Sequence, residues 1–110
     1  MRMTLTLVLL LLTCCVGANV FKTGYGLHNE CNNESSKAQS YCLGFVTGVA
    51  EVLDSNAVNG YSACIPNNVN QGEVRDIVVK FLEDHPELRH YEAHVLIARA
   101  LSEAFPCPKK

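Results

Sequence analysis

Four cysteines set the terms on which this chain can fold: Cys31, Cys42, Cys64 and Cys107. They stand behind a stretch that reads as a secretory signal peptide, residues 1–18. Met1-Arg2 gives a short positive start, Met3 to Leu12 an apolar run rich in leucine, and Val16 and Ala18 the small residues that precede cleavage after Ala18. The apolar run is too short for a transmembrane helix, which needs about 20 residues. A lipoprotein reading through Cys14 or Cys15 is weaker, because Thr13 and Cys14 are poor residues before a lipidated cysteine. Residues 19–110 then form one small domain. An even number of cysteines in a short exported chain reads as two disulfides, with three pairings open at this point. No pair has the C-x2-C or C-x4-C spacing of a zinc site, and no metal is expected.

Hydrophobic spacing predicts four helices. The first covers roughly residues 21–31, weakened by Gly24 and Gly26, since each glycine costs about 1 kcal/mol against alanine. A polar loop follows, with Ser35 or Ser36 as cap. The second helix covers 36–56. Ala38, Tyr41, Cys42, Phe45, Val46, Val49, Val52 and Leu53 recur at three- and four-residue intervals and form its core stripe. Gly44 and Gly48 in the same helix are read as helix-packing positions, where small residues let another backbone come close. The third helix starts at Asn70, with Glu73 completing a variant capping box, and runs through Val74, Ile77, Val78, Phe81 and Leu82. It stops near Asp84-His85, because proline disfavours helical geometry in the residue before it. The fourth is expected to begin at Pro86, with Glu87 in its first turn and a stripe of Leu88, Tyr91, Val95, Ala98, Leu101 and Phe105. No segment alternates with period two.

The fold class is therefore all-α: a small four-helix, up-down bundle stapled by two disulfides. Its geometry selects the pairing. Cys31 ends the first helix and Cys42 lies early in the second, at one end; Cys64 precedes the third and Cys107 follows the fourth, at the other. Cys31–Cys42 and Cys64–Cys107 are expected. Pairing Cys42 with Cys64 would make the loop climb back most of a helix about 30 Å long.

Composition narrows the chemistry. The full chain carries a net charge of −2, and loss of Arg2 with the leader leaves eight basic against eleven acidic residues, or −3. A mildly acidic domain argues against nucleic acid and against an anionic membrane surface. All four cysteines are committed to disulfides and no G-x-S-x-G elbow is present, so no enzyme and no cofactor is expected. Three of the four histidines lie within residues 85–94. His90 and His94, at i and i+4, would share a helix face, but a zinc site needs three or four ligands, and partly buried histidines at a helix junction are the plainer reading. The stretch 55–69, interrupted by Asn-Gly and Pro-Asn-Asn, is long for a connection. Pinned by Cys64, it forms a rigid projection carrying Asn56, Asn59, Tyr61, Asn67 and Asn68. A preorganised loop loses little entropy on binding, which favours a binding protein.

Four short motifs go further. They are "YCLGFVTGV" with Cys42 to Gly48, Cys-x-Pro at Cys64 to Pro66, "FLEDHPE" at Phe81 to Glu87, and "AFPC" at Ala104 to Cys107. In this order, over about residues 25–107, they resemble the Tai/Rap family of type VI secretion amidase-immunity proteins. The resemblance implies an exported helical protein of the bacterial periplasm, homodimeric and non-catalytic. Its partner would be a peptidoglycan amidase effector, a cysteine peptidase delivered by a neighbouring cell, whose active site a protruding loop occludes. Residues 55–69 are the first candidate for that loop. The corner at 83–92, with His85, Glu87 and His90, is the second. The alternative from another class is an acid-stress chaperone of the HdeA type, also small, helical and disulfide-bonded; two staples at opposite ends oppose the opening it would need.

Overall fold

The computed structural model describes residues 21–109. The expected signal peptide, its cleavage point after Ala18 and the lipoprotein alternative lie outside the described residues. Within them stand four α-helices: α1 (Gly24–Cys31), α2 (Ser36–Leu53), α3 (Gln71–Asp84) and α4 (Ala93–Ala104). Each packs against the other three. No strand occurs among the described residues, only isolated bridges pairing Thr23 with Glu92 and Val58 with Tyr61. Two disulfides join Cys31 to Cys42 and Cys64 to Cys107, as the bundle geometry required.

Local chemistry explains most of the helix starts. The side chain of Ser35 accepts from the Ala38 amide (3.2 Å) at the head of α2. Asn70 accepts from the Glu73 amide (2.9 Å) as the cap read from the sequence, and its side-chain amide, in place of its backbone N–H, donates to the Glu73 carboxylate (2.8 Å). α1 starts at Gly24 rather than near Phe21, because Thr23 takes the capping position and accepts from the Gly26 amide. α2 ends at Leu53, three residues short of expectation.

The fourth helix departs most from expectation. Pro86 opens a single 3-10 turn, Pro86–Leu88, and α4 begins only at Ala93. The backbone groups that would have continued a helix are used elsewhere. The Arg89 and Tyr91 carbonyls accept from the Tyr25 (2.9 Å) and Gly24 (2.8 Å) amides, and the Ala93 amide donates to the Lys22 carbonyl (2.8 Å). The start of α1 is thus sewn to the segment before α4. Arg89 closes the end of α3 from the same segment, donating from Nε to the Leu82 carbonyl (2.6 Å), one of the orphan carbonyls a helix leaves at its C-terminus. The buried stripe shifts accordingly, to Ala93, Leu96, Ile97, Ala98, Ala100 and Leu101, while Tyr91 is 50% exposed.

The core joins Leu27 of α1, Cys42, Val46 and Leu53 of α2, Val74, Val78, Phe81 and Leu82 of α3, and the α4 stripe. On α2 the expected stripe was too wide. Tyr41 and Val52 are 46% and 53% exposed, and Ala50 takes a core position instead. Tyr41 serves a cation: Lys22 Nζ lies 4.5 Å above its ring and pairs with Glu30 at 2.7 Å. Gly44 and Gly48 need a correction too. The close backbone approach expected there is not made within the described chain, where an added Cβ would meet nothing within 4 Å.

The close approach occurs at Gly24 instead. A Cβ there would lie 2.5 Å from Leu96 Cδ1, 2.8 Å from the Arg89 carbonyl oxygen and 2.9 Å from Arg89 Cα. Two of these atoms are backbone, so no side-chain rotation relieves the clash. Gly24→Ala should therefore destabilise the fold by about 3 kcal/mol, at the upper end of overpacking costs. Urea unfolding measures this, and Gly26→Ala, which meets only the flexible Lys22 side chain, serves as the control.

Candidate partner-binding surface

The segment between α2 and α3 begins with a tight hairpin. Val58 and Tyr61 exchange both backbone hydrogen bonds at 2.9 Å, and Asn59 and Gly60 form the turn with φ of 51° and 83°. Positive φ at both central residues suits the twist of a two-residue hairpin, and Asn-Gly is the pair that tolerates it best. Tyr61 leans on the core, Ala63 is buried, and the Cys64 amide donates to the Phe105 carbonyl (2.8 Å) beside the Cys64–Cys107 disulfide. A second turn follows, in which the Val69 amide donates to the Pro66 carbonyl (3.1 Å) and Asn67 and Asn68 are exposed at the crest. Asn56 and Asn59 are exposed as well. The segment is anchored through Tyr61, Ala63, Ile65 and Val69 and offers amides outward.

His85, Glu87 and His90 are at the other end of α3, about 20 Å away at 1.5 Å per residue. The structure does not bring the two groups of candidates into one surface. At the far corner His85 Nδ1 lies 3.1 Å from Glu87 Oε1, and the His85 ring packs on Phe81 with centroids 4.4 Å apart. His90 stacks on Tyr91 at 4.1 Å. His94 Nδ1 sits 3.5 Å from Glu92. His90 precedes α4 and His94 lies in its first turn, so the two do not share a helix face. Each histidine has its own neighbour, and the described residues hold no group of three or more His, Cys, Asp or Glu side chains placed to share a metal.

One feature escaped the sequence reading. A groove of about 200 Å³ runs between the C-terminal half of α2 and the segment leading into α3. Ala50, Ile65, Val69 and Val74 contribute apolar lining; Glu51 and Asp54 bring carboxylates, and Asn67, Asn70 and Gln71 amides. The carboxylates read as ordinary solvated helix residues. The available signal was their place: the last turn of a helix favours cations, and α2 has no basic residue there.

A protein-family model described as Rap1a immunity proteins matches residues 23–107. The chain belongs to this family. The match begins at the cap of α1 and ends at the final disulfide, so it spans all four helices and both staples. A search of curated proteins finds no match. For an immunity protein the relevant surface is one that meets an effector protein, and the two disulfides that hold it suit an oxidising compartment.

Acid should loosen this surface's scaffold in a defined order. Burial holds the His28 imidazole below its ordinary value of 6.5; the Arg89 charge adds to the shift and Glu83 opposes it. The unfolded chain therefore binds this proton first, and the stability linked to His28 is present above pH 6.5 and lost as pH falls below it. Glu87 is also held low, by its own backbone amide first and by His85 next, so its contribution is lost only at more acidic pH. Urea midpoints should fall between about pH 7.5 and 5.5 in the unaltered protein, and His28→Gln should flatten that slope.

Proposed function

We propose that this is a periplasmic immunity protein that binds and inhibits a type VI-secreted peptidoglycan amidase by occluding its active site. The carrying observation is the family match over residues 23–107, which includes the segment from the Asn59-Gly60 hairpin to Asn68. That segment suits a loop inserted into an enzyme cleft. Its exposed asparagines sit on turns closed by backbone hydrogen bonds, and the Cys64–Cys107 disulfide clamps it between the two turns. Little ordering entropy remains to be lost on binding, so exposed side chains contribute directly to affinity. In this reading the protein catalyses nothing and works by covering a site. The 83–92 corner is a second contact or a purely structural joint.

The reading includes a homodimer. We place the close approach of a second copy on the exposed face of α2, where Gly44 and Gly48 are flanked by Tyr41 and Val52. Sedimentation of the purified protein reads this part directly, and a monomer at micromolar concentration would contradict it. The chaperone alternative is disfavoured by two disulfides that resist opening.

Cells making a type VI peptidoglycan amidase in the periplasm, drawn in turn from a panel of such effectors, test the main claim. The full chain should protect them, and a form without residues 1–18 should not. Asn67→Lys with Asn68→Lys should weaken protection by at least about tenfold, the scale of one interface hot spot, while His90→Glu should change it far less. Equal protection by the form without the leader would sink the compartment argument.

A further inference from the structure

We propose that the groove between α2 and the 65–71 segment receives a basic side chain, arginine or lysine, of the partner protein. The proposal rests on the reading of the chain as an effector-binding protein and adds the chemistry of one contact.

Charge placement points to the occupant. Glu51 and Asp54 are three residues apart, so they are neighbours on the helix surface, and like charges there repel. Both sit at the C-terminal end of α2, where the helix dipole is negative. Neither belongs to any ion pair among the described residues, and the groove lining holds no Lys, Arg or His. Both carboxylates are exposed, so their repulsion in the free protein is small, and a cation brought by a partner offsets it together with the negative end of the helix dipole.

Shape narrows the occupant further. The floor of Ala50, Ile65 and Val74 is apolar, which suits a charge carried on an aliphatic stem better than a hydrated metal ion. The volume, about 200 Å³, is below the roughly 300–1,000 Å³ of small-molecule sites and fits a single long side chain. Pro66 and Asn67 line the same groove, so it is continuous with the projecting segment, and a protein seated on that segment lies over it. An acidic chain with a net charge of −2 also draws a basic partner during encounter.

A peptide pair tests this without the effector. Acetylated and amidated Ala-Arg-Ala is titrated into the exported, disulfide-bonded protein beside Ala-citrulline-Ala, which keeps the shape and removes the charge. Amide spectra should show saturable shifts at Ala50, Glu51, Asp54 and Gln71 with the arginine peptide, at millimolar dissociation constants. The citrulline peptide should bind at least about tenfold more weakly, the scale of one charge-assisted contact. Glu51→Gln with Asp54→Asn should remove that difference while leaving the remaining spectrum in place, which shows that the variant folds. Equal binding of the two peptides, shifts confined to other residues, or no saturation by about 50 mM would overturn the proposal. These peptides carry no amidase, so a negative result leaves the inhibitory reading standing, and a failed protection assay leaves a positive titration standing.

Discussion

The Cys64–Cys107 disulfide holds together two parts of the molecule that no helix joins. It closes a loop spanning 43 residues and fixes the entry to α3 against the exit from α4, beside the hydrogen bond from the Cys64 amide to the Phe105 carbonyl. In the chain-entropy view, closing a loop of this length stabilises by about 4 kcal/mol, and the shorter Cys31–Cys42 loop by about 3 kcal/mol. A domain this small has little core to spare, so these amounts are comparable with the whole net stability expected of it. With the disulfide in place, the segment from Val58 to Val69 becomes part of the folded body. Its tip residues are then held out by a hairpin and a turn that a free loop would lose.

The opposite end depends on backbone hydrogen bonds. Gly24, Tyr25 and Lys22 exchange bonds with Tyr91, Arg89 and Ala93, and only a glycine at position 24 leaves room for the contact. This joint closes the bundle, caps α4 in the absence of a side-chain cap and sets Arg89 against the end of α3. The histidines of this region take their places from it. They pair singly with Glu87, Tyr91 and Glu92, at a corner whose geometry serves packing.

What could be read from the sequence follows the range of the forces involved. Helices α2 and α3 were legible because caps and three- and four-residue spacing are local: Ser35, Asn70 and Glu73 act within one turn. The disulfide pairing was legible because Cys31 and Cys42 fall near one end of the bundle, and Cys64 and Cys107 near the other. The start of α4 was not, because Pro86 and Glu87 favour a helix and only bonds from residues 22–25, far back along the chain, prevent it. Gly44 and Gly48 find no partner within the described chain, since spacing marks where a backbone is able to approach and not which backbone does. The projecting segment was identified by its Asn-Gly and Pro-Asn-Asn turns. The second candidate group, at 83–92, was already set apart from it by the helix expected between them, and α3 places the two at opposite ends. The groove was hidden because a carboxylate on a helix is ordinary until its missing partner is counted.

The central claim is that the disulfide makes the projecting segment a preformed binding element. Amide hydrogen exchange of Val58 and Tyr61 tests it most directly, compared between the native protein and Cys64→Ser with Cys107→Ser. The account predicts that these two amides are protected in the native protein and lose that protection in the variant, while core amides such as Val78 and Leu101, whose protection falls with the overall stability, remain the better protected of the two groups. Equal protection of Val58 and Tyr61 with and without the disulfide would contradict it.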